Sequence, residues 1–319
     1  MIYKLRPNRV GRTYVGGRRI DRFTGCPLET SVNMPHPEDW LASAITVVNE
    51  GVTEGMGMTE EGISVPSILR DEVLPILLKL LDSDERLVIQ AHPTPEFAKE
   101  NLNSDFGKTE CWYILDCAED ACVYLGFQKG VTKEKWREAI LRQNKDEMLS
   151  MLCRIPVTKG DFIFVDGGMP HAIGAGCFLA ELQEPSDLMV VAEKYTPSGR
   201  KLPEYRFDMN MGFEKALDLY DYTTFNLQSL KNKYLTHPEL KPNDSVQILG
   251  ESLTDKFAMY ALCGNACHQT NRKYSIAIIT NGVGTIGDKA AKKGESFLIT
   301  SEAIIETQGD TNFTVILCE

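Results

Sequence analysis

Short apolar runs, separated by Gly, Pro and Asn, recur along most of this chain. They lie at 86–92, 111–116, 162–165, 177–182, 274–280, 294–300 and 313–317. Runs of this length bounded by turn residues predict β-strands. Many short strands of this kind are typical of a β-sandwich or barrel, and less so of a sheet built from alternating strands and helices.

Apolar residues at helical spacing interrupt the strand pattern in a few places. They predict helices that span 65–81, 131–152 and 212–220, and Pro37 followed by two acidic residues predicts the start of a further helix. Pro75 falls inside the helix over 65–81 and must break or restart it. Thr132 is a suitable N-cap for the helix over 131–152, in which Trp136, Ile140 and Leu141 lie on one face. The chain is therefore predicted to be mainly β with some α.

Composition and charge narrow the function classes. The 319 residues carry 34 Lys and Arg against 45 Asp and Glu, a formal net charge of -11. This balance argues against nucleic acid or an anionic membrane as a partner, because both attract clustered basic side chains. No apolar stretch has the length of a bilayer span, and Met1–Pro7 lacks the apolar region of a signal peptide. The nine scattered cysteines favour reduced thiols and a cytoplasmic location.

Length and a weak repeat suggest two packed units. The polar stretch 226–243 indicates a connection between them. The segment 160–165, which precedes His171, is echoed at 294–299, which precedes Ile305. Each copy has a Gly-acidic pair followed by an apolar strand. Because an apolar residue replaces the histidine in the second copy, the repeat suggests that one unit holds a polar site while the other is structural.

Candidate chemistry concentrates around two of the five histidines. Gln90 and His92 are two positions apart in a predicted strand and therefore share one face. Glu110 opens the next predicted strand, and His171 precedes the strand at 177–182. An amide oxygen, two imidazoles and a carboxylate suit a divalent ion such as Zn²⁺, with room for water or substrate. Spacing alone leaves open the alternative of ordinary polar residues and turn-capping histidines.

Three ordered segments carry a resemblance to a known family. They are Leu87–Pro93, Gly107–Tyr113 and Gly160–Gly174, and together they resemble the signature segments of type I mannose-6-phosphate isomerases of the short bacterial form. Upstream, Arg12–Gly17 is similar to the family's early Gly-Gly turn. Phe213–Leu217 is similar to its late helix. The resemblance covers most of residues 10–220 and is fainter beyond them.

The resemblance implies a fold and a cofactor. The fold would be a tandem cupin, that is, two jelly-roll barrels with a few helices. A metal-binding catalytic domain would span 1–230 with helical insertions, and a cupin-like domain without metal ligands would span 231–319. One zinc ion would be held by Gln90, His92, Glu110 and His171, and no other cofactor is implied. The sequence leaves the oligomeric state open.

The resemblance also implies an activity, the interconversion of mannose 6-phosphate and fructose 6-phosphate through a cis-enediol. The substrate would be a small sugar phosphate in cytoplasmic carbohydrate metabolism. A metal polarises the carbonyl and stabilises the enediolate. Lys108, two residues before Glu110, would face the site on a regular strand, and its alternative is a solvated strand-end lysine. Lys108, Glu110 and Arg200 are the predicted catalytic residues.

Two positions depart from the family pattern. Val88 stands where the family commonly has a serine associated with the sugar phosphate, and Val191 stands where it normally has a catalytic arginine. Valine can pair with neither a phosphate nor an enediolate. Lys194, Arg200 and Arg206 are the cations that a shifted loop could bring to the site. Two alternatives therefore stay open: isomerisation of a different sugar, phosphorylated or unphosphorylated, and a non-catalytic cupin that binds metal or sugar.

Overall fold

A computed structural model describes residues 1–28, 35–49, 51–70, 72–250, 252–300 and 304–319. Short strands make up most of the regular structure. In chain order they are β1 Ile2–Lys4, β2 Arg9–Val10, β3 Glu38–Leu41, β4 Val47–Asn49, β5 Val52–Glu54, β6 Leu77–Asp82, β7 Gln90–Ala91, β8 Glu110–Cys117, β9 Cys122–Gln128, β10 Leu152–Pro156, β11 Phe162–Val165, β12 His171–Ile173, β13 Cys177–Gln183, β14 Val190–Val191, β15 Thr224–Phe225, β16 Leu235–Thr236, β17 Asp244–Leu249, β18 Met259–Cys263, β19 Cys267–Gln269, β20 Ser275–Asn281, β21 Val283–Ile286, β22 Lys289–Lys292, β23 Ser296–Ile299, β24 Ile304–Gly309 and β25 Thr314–Cys318.

Helices are few and short. They are α1 Arg19–Thr24, α2 Val65–Leu69, α3 Pro95–Asn101, α4 Lys133–Arg142, α5 Lys145–Ser150, α6 Phe213–Ala216 and α7 Leu227–Tyr234, with single 3₁₀ turns at Glu204–Phe207 and Leu217–Leu219. No helix among the described residues combines the length and the apolar character that a membrane span requires.

The chain divides into two compact units that interleave along the sequence. The terminal unit comprises Met1–Gly11, Arg18–Leu80 and His237–Glu319, and the central unit comprises Arg12–Gly17 and Leu81–Thr236. The predicted domain boundary, with one cupin domain at 1–230 and another at 231–319, is a different division and stays a prediction.

The terminal unit contains two antiparallel sheets. Their strand orders are β1-β23-β20-β25-β18-β17 and β19-β24-β21-β22. Apolar side chains from both sheets, among them Ile279, Ile305 and Val315, meet in one buried cluster. Burial of one face of each sheet against the other is the arrangement expected of a jelly roll.

The central unit also has two sheets. One has the order β10-β9-β12-β7-β14, and the other includes β16-β11-β8-β13. On the first sheet, Ile89, Ala91 and Ala172 pack into a cluster with Trp136 of α4. Because side chains alternate along a strand, this packing turns Gln90 and His171 toward the opposite face. Helix docking on one face thus directs the polar residues into the interior of the unit.

Most of the apolar runs form strands as predicted. Strands β8, β11, β13, β20, β23 and β25 fall on the predicted runs. The run at 86–92 is the exception, because regular pairing there is confined to Gln90–Ala91.

Two helix predictions are wrong. The helix expected to begin at Pro37 is instead β3, whose residues are all buried. The helix expected over 65–81 ends with α2, and the part after Pro75 forms the fully buried β6. A continuous apolar run fits a buried strand as well as a helix, so lateral pairing decides between them.

The helix predicted over 131–152 is divided in two. Thr132 accepts the backbone N–H of Lys135 and caps α4 as predicted. Gln143 then adopts a left-handed conformation with φ of 52°, which ends α4, and Asn144 caps α5. The predicted helix at 212–220 is confirmed as α6 followed by a 3₁₀ turn. The polar stretch 226–243, predicted as a connection, contains α7 and β16.

Candidate metal centre

Strand pairing in the central unit positions three of the predicted site residues. His171 at the start of β12 is paired with Gln90 at the start of β7. Glu110 begins β8 in the other sheet, where it is paired with Val165 and Gln183. The side chains of Gln90 and His171 therefore face that of Glu110 across the interior.

The ligand atoms of three residues converge. One ligand atom each of His92, Glu110 and His171 lie within 4.8 Å of one another. The Nε2 atom of His92 is 3.3 Å from Oε2 of Glu110, and Nε2 of His171 is 3.4 Å from Oε1. Two ligands about 2.0–2.1 Å from a tetrahedral zinc ion lie about 3.3–3.4 Å apart. The two histidine–carboxylate separations are therefore those of neighbouring metal ligands, each measured to a different oxygen of Glu110.

Backbone carbonyls fix the orientation of both histidines. Nδ1 of His92 lies 2.8 Å from the carbonyl oxygen of Leu188, and Nδ1 of His171 lies 2.9 Å from that of Met169. A ring that donates from Nδ1 keeps its lone pair on Nε2, which is the atom that faces Glu110. The structure thus presets the tautomer that binds a metal.

Burial keeps the two imidazoles neutral. Burial and the nearby Lys108 lower the pKa of His92 to about 4, and burial lowers the pKa of His171. Neutral imidazole is the form that binds a metal ion.

Gln90 lies next to His171. Its amide nitrogen lies 3.3 Å from Nε2 of His171. An amide binds a metal through its oxygen, which a half-turn about the last side-chain bond brings to the same place. The residues therefore fit the predicted zinc ion, with Gln90, His92, Glu110 and His171 as the residues that would hold it.

Lys108 shares the ligand atoms of this cluster. Its ammonium lies 2.6 Å from Oε2 of Glu110 and 2.8 Å from Nε2 of His92, and the side chain is almost fully buried. The interpretation of Lys108 as a solvated strand-end lysine is therefore wrong. Burial alone would raise the pKa of Glu110, but Lys108 and the two histidines hold it well below its ordinary value. Glu110 is thus an anion at the centre of the cluster.

Sequence reasoning missed three groups that support these side chains. The indole N–H of Trp112 donates to Oε1 of Glu110 at 3.1 Å, and Glu184 accepts backbone N–H groups beside Lys108. The carbonyl of Leu188 is the third. The two-residue spacing of Glu110 and Trp112 on one strand face could have revealed the first. The other two have no signal in the sequence.

Among the described residues, Arg200 makes no hydrogen bond or ion pair with the residues of this cluster. It lies in a turn where its backbone N–H donates to Oγ1 of Thr196. Its catalytic assignment stays a prediction.

Val88 and Val191, the two departures from the family pattern, lie beside the cluster. Val191 is directly opposite Gln90 in the β7–β14 pair, and residues paired in this way point to the same face. Val88, Val191 and Leu202 form one buried apolar contact group, against which Met189 and Phe207 pack. The wall next to Gln90 is therefore apolar; these five residues are called the apolar wall below.

Curated proteins similar to this chain share one description. The chain is 31% identical over 220 residues to the probable mannose-6-phosphate isomerase GmuF of Bacillus subtilis, a match that covers 67% of this chain and 64% of that protein. It is 29% identical over 261 residues to the mannose-6-phosphate isomerase ManA of the same organism, with 80% and 79% covered. A mannose-6-phosphate isomerase of Streptococcus mutans is 35% identical over 181 residues, with 54% of each chain covered. The chain thus spans 64% of the length of GmuF, which is less than two thirds. No family model matches it.

Solved structures show the same fold over the whole chain. The mannose 6-phosphate isomerase from Bacillus subtilis superposes with a TM-score of 0.72 at 22% identity and covers 100% of this chain and 99% of its own. A mutant phosphomannose isomerase from Salmonella typhimurium has a TM-score of 0.73 at 14% identity, with 100% and 99% covered. The structure has 37% strand and 17% helix. This content and the match to these solved structures confirm the predicted mainly β, tandem cupin fold class.

Proposed function

Because the chain belongs to the mannose-6-phosphate isomerase family, we propose that it is a zinc-dependent aldose–ketose isomerase that interconverts mannose 6-phosphate and fructose 6-phosphate. The observation that carries the proposal is the convergence of one ligand atom each of His92, Glu110 and His171 within 4.8 Å, with Lys108 in contact with two of them.

The reaction needs positive charge beside the substrate oxygens. A proton leaves the carbon next to the carbonyl of the open-chain sugar, a cis-enediol forms, and the proton returns to the adjacent carbon. A zinc ion held by the four ligand residues would supply Lewis acidity for the negative charge that develops. Lys108 contacts the same ligand atoms of His92 and Glu110 that would bind zinc, so a bound ion would free its ammonium N–H groups for the substrate oxygens. Fixed donors aimed at developing charge are the main source of such stabilisation.

Burial strengthens these interactions. His92, Glu110 and His171 are at most 1% exposed. Charges interact more strongly away from water, so Lys108 acts on the substrate oxygens with little screening. The proposed roles are therefore metal ligands for Gln90, His92, Glu110 and His171 and charge stabilisation for Lys108.

An assay of the zinc-loaded protein tests this proposal. Formation of fructose 6-phosphate from mannose 6-phosphate is followed in a coupled assay, before and after dialysis against a chelator. We expect turnover that the chelator abolishes and that added Zn²⁺ restores. Full zinc occupancy without turnover of any sugar would overturn the enzyme proposal and favour the non-catalytic cupin.

The apolar wall supports a second candidate, the isomerisation of an unphosphorylated sugar. Val88 and Val191 offer no hydrogen-bond donor to a phosphate beside Gln90. Turnover of mannose with none of mannose 6-phosphate would favour this candidate.

The same proposal includes the cytoplasm as the location of the enzyme. All nine cysteines are free thiols rather than disulfides. Reduced thiols are the rule in the cytosol, where sugar phosphates are also the expected substrates.

A further inference from the structure

The apolar wall raises the question of where the anionic end of a sugar phosphate binds. Val88, Val191 and Leu202 are each at most 8% exposed, so the wall is close-packed beside Gln90. An anion placed against it would lose water without gaining a hydrogen-bond donor, which is unfavourable. A phosphate group must therefore be bound beyond the wall.

Two cations lie at the edge of the wall, next to Phe207. The ammonium of Lys194 is 5.6 Å from the centroid of the Phe207 ring, and Lys194 is exposed. Arg206 directly precedes Phe207 in the 3₁₀ turn Glu204–Phe207, which packs against β14. Lys194 thus lies over a residue that packs against the apolar wall, and Arg206 is the chain neighbour of that residue.

Arg206 is also joined to the loop that orients His92. Its Nη1 donates to the carbonyl oxygen of Asp187 at 3.0 Å, and its Nη2 donates to the Asp187 carboxylate at 2.9 Å. The next residue, Leu188, accepts from Nδ1 of His92 at 2.8 Å. The Arg206 guanidinium is thus connected to His92 through Asp187 and Leu188, by hydrogen bonds at both ends.

The guanidinium of Arg206 keeps capacity for a further anion. A guanidinium has five N–H donors, and the contacts to Asp187 occupy the two outer nitrogens. The carboxylate of Asp187 is shared, because Arg12 donates to it as well. Arg206 is 17% exposed at its side chain, so solvent and small ions reach it. A planar fork of donors suits the oxygens of a phosphate.

We propose that Arg206 and Lys194 bind the phosphate of the sugar substrate at the edge of the apolar wall, an inference that rests on the proposed isomerase function. The wall then contacts the carbon chain of the sugar, while the reacting end lies at Lys108 and the metal ligands. This arrangement supplies a phosphate site although Val88 and Val191 are apolar.

The test compares variants of the zinc-loaded holoenzyme. Arg206→Gln and Lys194→Met, alone and combined, are measured beside Lys201→Met, which removes an exposed lysine from the same segment. Loss of a charge-assisted hydrogen bond corresponds to about a tenfold to hundredfold change in binding. We expect KM for mannose 6-phosphate and Ki for inorganic phosphate to rise by about that factor in Arg206→Gln and further in the double variant, with kcat changing less.

Two controls separate substrate binding from structure. Zinc content by elemental analysis should equal that of the unaltered protein, and KM for unphosphorylated mannose, where it is turned over, should not change. An unchanged KM and Ki in the double variant would overturn the inference, as would an equal rise of KM for both sugars.

The inference can fail independently of the isomerase. If the unaltered protein turns over no sugar, binding of mannose 6-phosphate and of inorganic phosphate is measured by titration calorimetry on the same variants. Binding that Arg206→Gln and Lys194→Met weaken supports the phosphate site, and absence of binding to the unaltered protein overturns it. If only unphosphorylated mannose is turned over and phosphate does not inhibit, the isomerase stands and the phosphate site falls.

Discussion

Glu184 holds Thr109 in place, because its Oε2 atom accepts the backbone N–H of Thr109 at 2.8 Å. Its other oxygen accepts the N–H of Gly107 at 3.3 Å. Lys108 lies between these two residues and Glu110 follows them, so the carboxylate sets the backbone from which both charged side chains project.

Glu184→Ala should lower both stability and activity. The two N–H groups it leaves are buried, and an unsatisfied buried donor costs about 1–3 kcal/mol. We expect a loss of unfolding free energy of about 2 kcal/mol or more by urea denaturation, and a lower kcat at equal zinc content. Glu184→Gln keeps one acceptor and should fall between the two proteins. Unchanged kcat in a destabilised Glu184→Ala protein would leave Glu184 with a structural role alone.

Replacement of Lys108 by Met should separate catalysis from metal binding. The zinc ligands remain, so elemental analysis should show unchanged zinc. The positive charge beside the substrate oxygens is lost, and we expect kcat to fall by about 10²–10³. A rate equal to that of the unaltered protein would remove Lys108 from the catalytic residues.

His92→Ala and Glu110→Gln should each strip zinc from the protein. The first removes an imidazole ligand, and the second removes the anionic ligand and the partner of Lys108. Zinc per chain after dialysis is the measurement. His237→Ala, at an exposed histidine outside the cluster, is the control that should keep its zinc. Full occupancy in the two site variants would contradict the ligand assignment.

Asp39 in the terminal unit should make stability depend on pH. Burial raises the pKa of this carboxyl from 3.8 to about 6, while its Oδ1 accepts the backbone N–H of Asn8. The folded state then holds the proton more tightly than the unfolded state. The contribution of this group is complete below pH 3.8 and is lost as the pH rises through about 6.

The Asp39→Asn variant lacks this titrating carboxyl group and therefore tests the predicted pH dependence. Between pH 4 and pH 7, its unfolding free energy should rise relative to that of the unaltered protein by at most about 3 kcal/mol. Urea denaturation at a series of pH values gives the difference, in which other titrating groups cancel. Parallel pH profiles of the two proteins would refute the assignment.

The strands that position the site followed largely from local patterns. The apolar runs behind β8, β11 and β13 were correctly predicted, because residues of a half-buried or buried strand repeat at short range. The prediction of a helix at Pro37 was wrong because it used only local signals. Its start signals are local, whereas the burial of β3 depends on neighbouring strands that are remote in sequence.

The family resemblance carried the ligand set, and the fold brought its members together. Three short segments supplied the predicted ligands, and the fold brings ligand atoms of His92, Glu110 and His171 within 4.8 Å and pairs Gln90 with His171. Arg200 shows the reverse: a cation chosen for its nearness in sequence makes no hydrogen bond or ion pair with the described residues of the cluster.

By itself, the sequence determined the mainly β class, the family and the residues able to bind a metal, because these depend on side-chain type and short-range order. Tertiary structure alone decided that Leu188 orients His92, that Glu184 supports Lys108, and that Val88 and Val191 join Leu202 in an apolar wall. Each of these contacts joins residues far apart in the chain. Only the register of paired strands and the packing of loops against them set such distances.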